Sequence, residues 1–131
     1  MSLLLDTQVF LWWVNDDPRL GAKARKALED AGIEVVFSAA SAWEIAIKAR
    51  LGRLHAPPDL ATFLTDQITI NGFRVLPIKL EHAARVRHLD DHHRDPFDRL
   101  LVAQAILEGL TLVTSDAVMD RYPVTVLDAR Q

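Results

Sequence analysis

The sequence has no cysteine, which excludes disulfides and thiolate metal sites and suits a reducing compartment. It has no excess of basic residues either. Fifteen Lys and Arg stand against 18 Asp and Glu, a formal net charge of -3. No overall positive field therefore announces a nucleic-acid partner, although the cations can still cluster on one side. No uncharged apolar run approaches the length of about 18 residues that a membrane span needs. The opening MSLLLDTQVFLWWV is apolar, but it lacks a basic leading region and a small-residue cleavage site and carries Asp6 in its middle, so no signal peptide is expected. Repeats, low-complexity tracts and linkers are also missing. What remains is a chain of 131 residues, half of them hydrophobic, expected to form a single cytoplasmic domain over residues 1–131.

Short runs rich in branched residues predict buried strands at Leu3–Asp6, Glu34–Ser38, Arg74–Pro77 and Thr111–Thr114, with Val124–Leu127 as a fifth. Helical patterns lie between them. Pro18–Ala31 ends at Gly32, Ser41–Leu51 at Gly52, Pro58–Ile70 at Asn71-Gly72 and Pro96–Glu108 at Gly109, and a further helix covers Leu80–Leu89. Strands alternating with helices imply an α/β fold, a three-layer α/β/α sandwich around a mostly parallel sheet. The polar run Asp90–Arg94 reads as its most mobile loop. Of the adjacent Trp12 and Trp13, one is expected in the core and the other free for a partner, because neighbours in sequence point to different sides.

Ligands bind such sheets beyond the carboxyl ends of the strands. Asp6 stands at the end of the first predicted strand, followed by Thr7, and Asp116 follows Ser115 at the end of the fourth. Glu44 lies in the helix after the second strand. Asp98 opens the helix before the fourth, in RDPFDRLLVAQA. Each acid has an ordinary structural account: Asp6 and Asp116 as caps, Asp95 as an N-cap before Pro96, and Glu44 in a capping box with Ser41 or an i,i+4 pair with Lys48. The face that carries Glu44 is polar and gives no hint of burial. Asp98 differs, because it shares a helical stripe with Leu101, Val102 and Ala105 and so points inward, where a lone carboxylate needs a partner. Two carboxylates about 4 Å apart repel by about 4 kcal/mol at an effective dielectric of about 20, so converging acids must bind cations or protons. An all-oxygen set suits magnesium or manganese, ions that activate water for attack on phosphodiesters. A rival cluster of His88, His92 and His93 with neighbouring acids could hold a transition metal, but it reads as solvated loop.

The segments LLLDTQVFLWW, SAASAWEIAIKARLGRL, DPFDRLLVAQA and GLTLVTSD together resemble the PIN-domain ribonucleases, in particular VapC-like toxins of bacterial type II toxin–antitoxin pairs. The likeness runs over nearly the whole chain. It implies an α/β/α domain with an acidic pocket that holds Mg2+, with Mn2+ as a substitute, and cleaves RNA to leave a 5'-phosphate and a 3'-hydroxyl. Carried onto this chain, the four site acids are Asp6, Glu44, Asp98 and Asp116. Asp6, Asp98 and Asp116 would bind the ion directly, and Glu44 would bind a second ion or orient water. Thr7 and Ser115 match flanking hydroxyls that orient a carboxylate or water, and Asp95 is a cap and outer-shell group. Lys48, Arg50, Arg53 and Arg99 are the candidates for RNA phosphates. The resemblance further implies an antitoxin that masks the pocket, and a homodimer. A non-catalytic module that binds RNA or protein is the alternative. A receiver domain is disfavoured because Val124–Arg130 has no lysine, and an aspartyl-nucleophile phosphatase because Gln8 stands two residues after Asp6.

Overall fold

The computed structural model describes residues 1–131. Five strands, β1 (Ser2–Leu5), β2 (Glu34–Ser38), β3 (Arg74–Leu76), β4 (Thr111–Thr114) and β5 (Val126–Asp128), form one sheet in the order β3-β2-β1-β4-β5, with every pairing parallel. Leu4 of the central strand faces Val36 on one side and Leu112 on the other. Leu3, Leu4 and Leu5 are all fully buried, the signature of a strand covered on both faces rather than one that alternates between core and water. Helices supply the cover: α1 (Thr7–Val14), α2 (Ala22–Glu29), α3 (Ala39–Arg50), α4 (Leu60–Asn71), α5 (Leu80–Arg85) and α6 (Pro96–Glu108). Leu3, Leu5, Phe10, Phe37 and Ile45 build one core layer with α1 and α2. Leu4, Val36, Leu101, Val102 and Leu112 build the other with α6. The expected α/β/α sandwich is therefore present, and no helix is long and apolar enough to cross a membrane.

Several boundaries differ from the pattern, each for a local reason. The sequence pattern does not delimit α1, because TQVFLWWV is apolar on every side and rich in β-favouring types; the Asp6 carboxylate starts this helix by accepting from the Val9 amide. Helix α2 begins at Ala22 rather than Pro18, since Asp17 ties the preceding turn by accepting from the Arg19 amide. Ser38, not Ser41, caps α3, so the capping box with Glu44 does not form. The 80s helix ends at Arg85 and tightens into a 3-10 turn over Val86–His88. Strand β5 starts at Val126 because the Val124 amide is bonded to the Tyr122 carbonyl. Trp12 is the buried member of the pair, but Trp13 is not free: its indole donates to Asn71 at 2.9 Å.

A buried polar chain crosses the second core layer. The Ser38 hydroxyl donates to Gln104 Oε1 at 2.5 Å, and Gln104 Nε2 lies 3.3 Å from both the Pro77 carbonyl and His82 Nδ1. Ser38 in turn caps α3 through the Ala40 amide, so Gln104 holds the start of the helix that carries Glu44. Gln104→Leu, close in volume but without donors or acceptors, strands these partners and should lower stability by about 1–3 kcal/mol. Urea unfolding checks this, and an unchanged midpoint would reduce the chain to a packing detail.

Candidate active site

The chain runs β1→β2→β3 to one side of the sheet and then crosses to β4 on the other, which puts a switch point between the carboxyl ends of β1 and β4. A cavity of about 320 Å³ opens there. Asp6, Glu44, Asp98 and Asp116 all line it, together with Thr7, Asp95 and Ser115. Four separate segments thus deliver the four predicted acids to one place.

Asp6 follows β1 and is almost fully buried. Its Oδ1 accepts from the Val9 amide at 3.0 Å and its Oδ2 from the Thr114 hydroxyl at 2.5 Å. Burial raises its pKa against the pull of those two donors, and the neighbouring Glu44 raises it further. Thr114 does double duty, because its oxygen also accepts from the Asp116 amide at 3.1 Å. The orienting hydroxyl on this side is therefore Thr114, while Ser115 lies in the cavity wall.

Glu44 is 5% exposed, contrary to its reading as a residue on a polar face. The reason is that α3 lies the other way round. It turns Ala40, Ser41, Glu44 and Ile45 inward and leaves Trp43, Ile47 and Leu51 in solvent. Glu44 Oε1 accepts from the Thr7 hydroxyl at 2.6 Å, with Ser41 Oγ 2.9 Å from the same Thr7 oxygen, and Oε2 pairs with Lys48. The pair with Lys48 is thus real, but it stands at the cavity edge. The hydroxyl of Thr7, next to Asp6 in sequence, thus donates to a different carboxylate, that of Glu44.

Asp95 caps α6 by accepting from the Phe97 amide at 2.8 Å and the Asp98 amide at 3.4 Å, with Pro96 as the first helical residue. Asp98 lies in the first turn above buried Leu101, Val102 and Ala105. Its carboxylate accepts no hydrogen bond from the protein. Burial, then the nearby Asp95, and more weakly Glu44 and Asp6, push it up to about 7, against some relief from His93.

Asp116 caps the 3-10 turn Ala117–Arg121, its Oδ1 accepting from the Val118 amide at 3.0 Å. Its Oδ2 lies 2.7 Å from His93 Nε2. Burial works to raise Asp116, but the His93 and Val118 bonds bring it below the ordinary carboxylate value. His93, set aside with His88 and His92 as solvated loop, stands at this site without them. Arg99 ties into the Asp90–Arg94 run by donating to the carbonyls of Asp90 and His93 at 2.9 and 3.5 Å, and to those of Val86 and Leu89 just before it at 3.0 and 3.2 Å. The ligating atoms of His93, Asp98 and Asp116 lie within 4.8 Å of one another. Of the four predicted cations, Lys48 and Arg53 reach the cavity. Arg50 does not line it, and Arg99 is committed to its loop.

A parallel sheet with carboxylates gathered at its switch point is the arrangement of a PIN domain, and the PIN domain model matches residues 3–124. Over 130 residues the chain is 33% identical to Ribonuclease VapC22 of Mycobacterium tuberculosis, covering 95% of this chain and 98% of that one. It is 39% identical to Ribonuclease VapC16 of the same organism over 74 residues, a match that spans about half of either chain, 53% of this one and 52% of the other. Among solved structures, the Rickettsia felis VapBC2 complex bound to a promoter DNA fragment superposes with a TM-score of 0.72 at 16% identity, over 98% of both chains. The chain belongs to the PIN-domain family, among its VapC-like members.

Proposed function

We propose that this protein is a metal-dependent endoribonuclease acting as the toxin of a toxin–antitoxin pair. The observation that carries this reading is Asp98: a half-buried carboxylate with no hydrogen-bond donor, facing a cavity that also holds Asp6, Glu44 and Asp116. Within that set Glu44 pairs with Lys48 and Asp116 with His93, which leaves Asp6 and Asp98 with no basic partner, so the donors fit a hard divalent cation such as Mg2+, with Mn2+ as its substitute. Asp6, Asp98 and Asp116 would hold the ion, and Glu44, fixed by Thr7 and Lys48, would orient water or accompany a second ion. When bound, the cation supplies activation of water and charge stabilisation at phosphorus. Lys48 and Arg53 stand at the rim where RNA phosphates would lie, and cleavage would leave a 5'-phosphate and a 3'-hydroxyl.

The relatives carry ribonuclease names, and the Rickettsia felis structure is of a VapBC complex on promoter DNA. By that likeness we assign this chain a cognate antitoxin, whose Arg or Lys would complement the acidic cavity, and a homodimeric form. Residues 1–131 would act as one cytoplasmic PIN-like domain.

End-labelled RNA incubated with the purified chain should be cut in Mg2+ or Mn2+ and left intact with a chelator. Cutting that survives chelation or Asp98→Asn would defeat the metal mechanism. No cutting across a broad RNA pool would leave a module that only binds.

A further inference from the structure

His93 lies outside the carboxylate set and outside every role assigned above, yet its side chain is only 10% exposed and both ring nitrogens are engaged. Nδ1 is 2.8 Å from the Tyr122 hydroxyl, and the two rings stack at 5.5 Å between centroids with 17° between planes. Nε2 is 2.7 Å from Asp116 Oδ2. A Tyr122 hydroxyl that donates to Nδ1 fixes the imidazole proton on Nε2, where it points at the carboxylate. With the Val118 amide on the other oxygen, both arms of Asp116 are then held. Arg99 donates to the His93 carbonyl at 3.5 Å and to the Asp90 carbonyl at 2.9 Å, which holds the backbone that presents His93.

The geometry points to His93 as a positioning residue for Asp116: a Tyr122–His93 strut sets the direction of that carboxylate toward the cavity. This rests on the metal-site reading of the preceding subsection and extends it to a group the family motif does not carry. His93 lies close enough to Asp98 and Asp116 to share an ion with them. An Nε2 that carries the proton has no lone pair to offer, however, so its action passes through Asp116.

Mn2+ binding, titrated by electron paramagnetic resonance on the full chain, tests this without any need for RNA cleavage. His93→Ala should weaken Mn2+ binding about 10- to 100-fold, the usual loss when the partner of a metal-ligating group is removed. His93→Gln should recover most of it, because its amide N–H reaches toward the same carboxylate. Tyr122→Phe should give a smaller loss with the fold intact, which keeps the test valid if His93→Ala proves unstable. Equal affinity in wild type and His93→Ala overturns the proposal, as does a His93→Gln no better than alanine. Imidazole nitrogen coupling to Mn2+ bound in the wild type would also overturn it, in favour of direct ligation. A wild type that binds no Mn2+ defeats the metal reading instead. The strut is then judged on the metal-free protein, where a downfield Nε2–H proton resonance of His93 supports it and the absence of that resonance overturns it.

Discussion

Asp98→Asn will stabilise the metal-free protein at pH 8 while abolishing metal-dependent cleavage. The two effects have one cause. The carboxylate is pushed up to about 7 in the folded state from an ordinary 3.8, chiefly by burial and by Asp95. A raised folded pKa means that the native state binds the proton more tightly than the unfolded one. Stability therefore falls as pH rises from about 4 through about 7, and the deficit is complete above that window. Because Asp98 is only half-buried, solvent screening reduces the penalty to about 1–2 kcal/mol. Asparagine keeps the shape of the protonated acid and cannot ionise. Calorimetry in chelator should thus show wild type and variant melting together near pH 4, and the variant higher at pH 8 by roughly 3–8 °C. Added Mg2+ should narrow or reverse the gap, since an ion that binds only the native wild type stabilises it by mass action. Cleavage should drop by about a thousandfold or more, because several kcal/mol of charge stabilisation at phosphorus depend on the ion, and each 1.36 kcal/mol is tenfold in rate. A variant that is no more stable at pH 8 and cuts RNA normally would return Asp98 to a plain first-turn acid on α6.

Asp98 was legible in the sequence because its helix is regular and its neighbours at three, four and seven positions on are core residues. Periodicity then fixes direction. Glu44 was legible only through the family resemblance, since α3 exposes Trp43, Ile47 and Leu51 and buries an acid, the reverse of what hydrophobic patterning leads one to expect. What turns that helix is tertiary: Thr7 bonds to Glu44, and Ser38 with Gln104 sets where α3 begins. The parallel sheet and its three layers followed from the alternation of strands and helices, but the end of the 80s helix and the start of β5 depended on single backbone bonds with no counterpart in the pattern. His93 was illegible for a different reason. A polar run between helices reads as solvated loop, and it is tertiary bonds, from Arg99 to the Asp90 and His93 carbonyls and from the His93 ring to Tyr122 and Asp116, that bring it to the site. Thr114 was hidden behind Ser115, one residue nearer to Asp116. Strand alternation decides which of two adjacent hydroxyls faces Asp6, and that parity cannot be read until the strand register is known.

Affinity for Mg2+ or Mn2+ should fall about tenfold for each pH unit below about 7. The ion and the proton compete for the Asp98 carboxylate, and at pH 6 the metal-free site holds that proton most of the time. One proton released per ion bound gives the tenfold slope. Asp6, also raised by burial, would add to the dependence. Asp116 stays ionised through this range, because His93 and the Val118 amide hold it below the ordinary value, and so adds nothing to the slope. Isothermal titration with Mn2+ from pH 5.5 to 8, repeated in buffers of different ionisation enthalpy, reads both the affinity and the protons released. Asp98→Asn should bind more weakly throughout and lose the slope near neutrality. An affinity that stays level from pH 8 to 5.5 would mean that the ion does not displace a proton from Asp98, and would remove that residue from the ligand set. At saturating metal the proton is excluded, so the pH dependence of wild-type stability should flatten as well: the carboxylate that is costly without an ion becomes the group through which the ion holds the fold together.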